Sequence, residues 1–234
     1  MKLSEDSYPK PNYYNADHGL RKMSTKAFEI ENESFAIIDS EVGVHTYDEL
    51  EWAIVRRVIH ATADFDFARK EKITFHGDVF TSAFKAIEDE CHILSDVEMV
   101  LSGINKQLTK ELNLKTLCRI SDISVIKYSR DNNLTRSQVA MDFSAAQIQN
   151  GIVVIGNAPT ALFQLISMIR ENRVKPALVI GIPVGFISAL ESKKELLRTP
   201  IPSITNIGRK GGSAAASSII NALMLIHKSR VRQH

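Results

Sequence analysis

Apolar residues in this chain follow two alternating patterns. Short continuous runs of Ile, Val, Leu and Phe recur along the sequence, and between most of them apolar positions return every three or four residues. The first pattern predicts strands and the second helices. Strands are expected at Phe35–Asp39, Ile73–Phe75, His92–Leu94, Leu117–Ile120, Ile152–Ile155, Ala177–Gly181 and Ser203–Thr205. A helix is expected from about Asp48 to Ala61, opened by Thr46 and Glu49 as a capping box that would satisfy two orphan N–H groups. Leu50, Ile54 and Val58 give it a buried stripe, and Arg57 and His60, three residues apart, share another face.

Repeated β-α-β order implies a mostly parallel sheet with helices on both faces, because parallel crossovers lay helices over the sheet. The fold class expected is therefore α/β, a Rossmann-like layered domain. Residues 1–24 carry Pro, Asn, Tyr and charge without an apolar period and read as a polar N-terminal arm. Residues 25–234 read as a single α/β domain, a size at which one core is the ordinary outcome.

Composition narrows the function classes. Hydrophobic residues make up 44% and charged residues 24%, ordinary for a globular protein. The longest apolar runs, Ile152–Ile155 and Ala177–Ile182, fall far short of the roughly 20 residues of a membrane span. The polar N-terminus lacks the apolar stretch of a secretory signal, so a cytoplasmic location is expected. A net charge of +2 gives no basis for nucleic-acid binding. The basic tail KSRVRQH reads as a solvated end. Cys91 and Cys118 have no metal-type or redox spacing and read as reduced core residues.

Ligands of open parallel sheets settle outside the carboxyl ends of the strands, where loops meet helix N-termini. Three such junctions are loaded. In VVIGNAPTALF a strand ends at Gly156, Asn157 is placed to cap, and Pro159 can open a helix. LVIGIPVGF runs from a second strand into Gly181, Pro183 and Gly185. The third, Ser203 to Ser213, holds Gly208, Arg209, Lys210, Gly211 and Gly212 and leads into the small-residue helix Ala214–Ile226. Its glycines let N–H groups approach an anion, and the helix dipole adds about half a positive charge.

A fourth cluster, Thr135-Arg136-Ser137-Gln138, fits a capping box that leaves Arg136 in the first helical turn. The dipole there disfavours a cation, and an anionic ligand would relieve the conflict. Glycines used only for turns, and Arg136 as a plain surface residue, remain open at this level. His60 closes a capped helix beside Arg57, and imidazole titrates near neutral pH, which suits proton delivery. His45, His76 and His92 lack metal-type spacing, and His18, His227 and His234 lie near the termini. Neither a Walker loop nor G-x-G-x-x-G nor a G-x-S-x-G elbow is present.

Taken together, these strings resemble the precorrin-8X methylmutases, including the cobalt-precorrin-8 methylmutases of the anaerobic route, over about Ala27 to Leu223. The strings are Glu33-Ser34-Phe35-Ala36-Ile37-Ile38, Val55-Arg56-Arg57-Val58-Ile59-His60-Ala61-Thr62, Asp96-Val97-Glu98-Met99-Val100, Gly156-Asn157-Ala158-Pro159-Thr160-Ala161-Leu162-Phe163, Pro183-Val184-Gly185-Phe186 with Glu191-Ser192-Lys193, and Gly208-Arg209-Lys210-Gly211-Gly212-Ser213.

The resemblance implies an isomerase of cobalamin biosynthesis that moves a methyl group from carbon 11 to carbon 12 of a corrin precursor, aided by protonation of the ring. It implies His60 as the catalytic acid, Ser34 and Arg57 as substrate contacts, a homodimer, and no metal or cofactor beyond cobalt carried by the substrate. Anion chemistry extends the expected contacts to Arg136, Arg209, Lys210, Gly211 and Gly212, because the substrate is a flat apolar ring fringed with carboxylates. The string Ala61 to Phe67 resembles the cobalt-dependent members more than the aerobic ones. The lead-in of residues 1–24 is longer and more polar than the family pattern. The rival readings are a tetrapyrrole carrier that does not transform its ligand, and a nucleotide- or phosphate-binding protein using the Gly208–Ser213 loop.

Overall fold

The computed structural model describes residues 25–231. The expected arm at residues 1–24, with His18 and His234, lies outside the described residues.

Among the described residues six strands form one sheet, whose central strands present their side chains alternately to two separate apolar layers. The six are β1 (Ile73–His76), β2 (His92–Ser95), β3 (Lys115–Leu117), β4 (Ile152–Ile155), β5 (Leu178–Gly181) and β6 (Ser203–Asn206). Ile93, Ile152, Val154, Leu178, Ile180 and Ile204 enter one core, and Leu94, Val153, Ile155 and Val179 enter the other. This period of two, with both faces covered, turns the central strands into continuous apolar runs.

The first core is closed by α2 (Glu49–Thr62), α3 (Val79–Glu88), α4 (Glu98–Gly103), α5 (Lys106–Glu111) and the long α11 (Ser213–Val231), with α1 (Thr25–Val42) laid on α2. Over the second lie α9 (Pro159–Arg170) and α10 (Ala189–Leu196). Further out are α6 (Ile123–Asp131), α7 (Arg136–Phe143), which packs on α9, and the short α8 (Ala145–Ile148).

Strand order is β1-β6-β5-β4-β2-β3, and every neighbouring pair is parallel except β1 and β6. The antiparallel register sets Ile73 opposite Asn206 and His76 opposite Ser203. The segment entering β1 therefore lies at the carboxyl rim of the parallel strands, beside the loop that leaves β6. That one reversal brings the end of α2 to the rim where the loaded loops stand.

Several local expectations are corrected. Phe35–Asp39 is helical, within α1. Phe35 and Ile38 are buried while Ala36 and Ile37 are exposed, a helical spacing that a five-residue window reads as a strand. Helix α2 is capped by Asp48 with Glu51, not by Thr46 with Glu49. Both pairs have the box spacing, and the acid two residues further on lies where the helical backbone begins. The strand expected at Leu117–Ile120 runs instead over Lys115–Leu117, the stretch that pairs with His92–Leu94. Both cysteines are free thiols, Cys91 buried and Cys118 only half-buried. The capping box of Thr135 and Gln138 and the Pro159 helix start stand as expected.

Candidate active site

Between β2 and β4 the chain changes direction across the sheet, which in such folds opens a crevice at the carboxyl ends of the strands. In this chain the crevice holds an internal anion. The Asp96 carboxylate, fully buried just past β2, accepts from the backbone N–H groups of Gly156 (3.1 Å), Asn157 (2.8 Å) and Ala158 (2.7 Å). The expected Asn157 cap is thereby replaced: α9 is served by a carboxylate from a neighbouring strand, and Asn157 faces solvent. Burial raises the Asp96 carboxyl above the usual range, and the three N–H groups pull it back.

The α1/α2 seam carries the family's candidate residues. Phe35, buried on α1, sits 5.2 Å from the His60 ring, with the guanidinium of Arg57 5.2 Å and that of Arg56 4.4 Å from its centroid. Arg57 donates to Glu31 at 3.0 Å, and Arg56 to Asp39 at 2.9 Å. Ser34 stands beside Phe35 with its hydroxyl on Ile30 O, and His60 is exposed near the end of α2. Arg57 and His60 thus meet at one aromatic ring, and Ser34 is the residue before it on α1.

The loop after β6 is tied down from several sides. Lys193, a lysine with no exposed surface, donates to Gly208 O (3.0 Å) and Lys210 O (2.5 Å). Burial pushes its amine down to about 8, against the pull of Glu71. Glu71 accepts from Lys210 N (2.8 Å) and Asn206 Nδ2 (3.2 Å). It lies so close that a Cβ on Gly208 would meet its carboxylate at 1.9 Å. Gly211, at φ +154°, would put a Cβ 2.2 Å from Ile182 O, so neither glycine serves only as a turn former.

The two loop cations part company. Lys210 Nζ turns back onto Asp64 (2.8 and 2.9 Å) and Asp66 (2.7 Å), just past the helix bearing His60. Those acids hold its ammonium well above the ordinary lysine range, and Lys210 in turn holds Asp66 low. Arg209 points outward, 5.5 Å above the ring of Phe186. Phe186 and Ile187 are 84% and 85% exposed, and Val184 and Ile207 join them in an apolar rim.

Arg136 stands exposed on the opposite helical layer at the same rim. There Thr135 and Ser137 hydrogen-bond Thr160 of α9 at 3.0 and 2.8 Å, so two helix N-termini meet. The structure links Arg136 to the α1/α2 seam by no contact among the described residues. Asp64, Asp66, Glu71, Asp96 and Lys193 were not singled out by sequence reasoning. Four of them, Asp64, Asp66, Asp96 and Lys193, lay inside quoted strings without being assigned a role, and Glu71 lay outside them all; Asp64, Asp66 and Glu71 owe their place beside the loop to the reversed β1. Among the described residues no group of three or more His, Cys, Asp or Glu is arranged to hold a metal, and no helix is long and apolar enough to cross a membrane.

The layered α/β sheet thus carries a histidine, two outward arginines and exposed apolar side chains at its carboxyl edge. The sequence profile of precorrin-8X methylmutase matches residues 29–226, and the chain belongs to that family of isomerases in cobalamin biosynthesis. It is 44% identical over 221 residues to the cobalt-precorrin-8 methylmutase of Leptospira interrogans, spanning 90% of this chain and 99% of that one. To the enzyme of the same name from Priestia megaterium it is 41% identical, over 91% and 93% of the two chains. The crystal structure of a precorrin-8X methyl mutase from Thermus thermophilus superposes with a TM-score of 0.80 at 36% identity, covering 86% of this chain and 96% of that one.

Proposed function

We propose that this enzyme moves the methyl group of (cobalt-)precorrin-8 from carbon 11 to carbon 12, with His60 as the general acid. The carbon 11 to methyl bond breaks as the carbon 12 to methyl bond forms. His60 protonates a ring nitrogen as the methyl migrates and takes the proton back as the conjugated product forms. The observation that carries this reading is the placement of His60: an exposed imidazole backed by Phe35, on one seam with Ser34 and Arg57.

The rim suits the substrate's shape. Phe186, Ile187, Val184 and Ile207 offer an apolar face to the ring, and Arg209 and Arg136 offer cations to its carboxylates, while Arg57, paired with Glu31, meets one by sharing itself. Gly212, beside Val184, lets the ring's edge approach the N-terminus of α11, whereas the open side of Gly211 is filled by Ile182 O. Lys210 meets a carboxylate only by sharing itself with Asp64 and Asp66. The names of the Leptospira and Priestia relatives favour the cobalt form of the substrate. The enzyme acts in the cytoplasm as a homodimer, with no cofactor of its own.

Incubation with precorrin-8 and, separately, its cobalt form while the visible spectrum is recorded tests the assignment. Conversion to the rearranged corrin is expected, faster with cobalt present, and an unchanged spectrum in both would overturn it. Arg57→Ala is expected to raise KM about tenfold, the worth of one charge-assisted hydrogen bond. Its kcat should stay within about threefold of wild type. Steady-state kinetics decides, and a loss confined to kcat would place Arg57 in the chemistry instead.

A further inference from the structure

The charge arrangement around the loop of residues 207–212 is costly by ordinary rules. A buried ammonium loses its hydration, and an apolar side chain of similar length would fit such a site at no desolvation cost. Lys193 is nevertheless fully buried, and what it touches is the backbone of a rim loop, at Gly208 O and Lys210 O. The neighbouring carbonyl, Arg209 O, accepts from Gly185 N (3.0 Å), which joins this loop to the one carrying Phe186. From the other side Glu71 takes the Lys210 N–H and the Asn206 amide, and its carboxylate fills the space a side chain at Gly208 would need. Asn206 Nδ2 also donates to Lys210 O at 3.1 Å. Three successive carbonyls thus face inward, and the side chains between them are sent in opposite directions: Arg209 out over Phe186, Lys210 back to Asp64 and Asp66.

We infer that Lys193 and Glu71 are positioning residues for the methylmutase reaction. They fix the backbone of residues 208–210 so that Arg209 stands ready for a substrate carboxylate, while Lys210 locks the loop in register with the helix end that carries His60. Neither touches substrate. The inference rests on the reaction proposed above, and its structural half can be tested without it.

The test uses Lys193→Met, which keeps length and loses every donor, Lys193→Arg, which restores donors, and Glu71→Gln, which keeps volume and loses charge. Amide exchange followed by NMR reads the clamp with no substrate present. In Lys193→Met the Lys210 and Gly185 amides are expected to exchange at least tenfold faster, with those of Val179 and Ile180 in β5 unchanged. Kinetics with the corrin precursor reads the consequence: KM is expected to rise roughly tenfold to a hundredfold, as for a displaced binding group, with kcat falling less. Lys193→Arg should recover part of both.

Unchanged Lys210 and Gly185 exchange in a folded Lys193→Met protein overturns the clamp. Faster exchange with KM and kcat both at wild-type values shows a purely structural tie and overturns the positioning role. Should Lys193→Met fail to fold, Glu71→Gln gives the same two readings, with Lys210 exchange as the deciding amide. A wild-type protein that turns over no corrin precursor sinks the methylmutase reading, while the exchange experiment still decides whether the clamp exists.

Discussion

Replacing His60 by alanine should lower kcat for the methyl shift by about a hundredfold to ten-thousandfold, the span that a positioned proton donor supplies, with little change in KM. The imidazole is exposed near the end of α2, and its one ring contact among the described residues is with Phe35. Its removal should therefore alter stability by no more than about 0.5 kcal/mol, as for other surface substitutions, so lost activity would not be lost fold. Binding is retained because the carboxylate contacts assigned to Arg57 and Arg209 are untouched. Single-turnover kinetics followed at visible wavelengths, with thermal melting alongside, separates these quantities. A His60→Ala enzyme that keeps more than a tenth of wild-type kcat would remove His60 from the acid's role.

The second large effect is structural and belongs to Asp96. Three backbone N–H groups converge on this carboxylate, and nothing else among the described residues accepts from them. Asp96→Ala leaves those donors buried or half-buried without partners, at about 1–3 kcal/mol for each group that water cannot reach. A total loss of roughly 3–5 kcal/mol is expected, the range seen when one partner of a buried charged contact is removed. Asp96→Asn keeps an acceptor oxygen and should lose less. Urea unfolding of the three proteins measures this directly. An Asp96→Ala protein within about 1 kcal/mol of wild type would mean that the carboxylate is not what secures the start of α9.

How far these sites were legible depends on where their causes lie. The position of His60 at a helix end, its spacing of three from Arg57, and the glycine loop could be read because those signals are local, whereas the roles proposed for them came from the family resemblance and not from the pattern. The sheet was legible for the same reason, since Ile152–Ile155 and Leu178–Gly181 are buried on both faces and carry no polar break. Phe35 to Asp39 misled because five apolar-rich residues satisfy strand and helix alike, and only packing against α2 decides between them. Lys193 gave no sign of burial, because a lysine in a helix whose next residue is also lysine reads as solvated. Its burial is set by the loop from β6, and that of Asp96 by an N–H cluster some sixty residues away. Long-range electrostatic partners of this kind leave no period in the sequence.

The reversed strand β1 has a consequence for the order in which the molecule is completed. β1 stands at the sheet edge and its only strand partner among the described residues is β6, so within them residues 73–76 have nothing to pair with until residues 203–206 have been made and docked. The ties across that junction span 139 residues from Glu71 to Lys210 and 146 from Asp64 to Lys210, the kind of distant closure that is slow because the chain's entropy is lost before any contact is gained. A growing chain can therefore assemble β2 to β5 while the helix bearing His60 still lacks its loop. β6, the last strand among the described residues, is the one that joins the two.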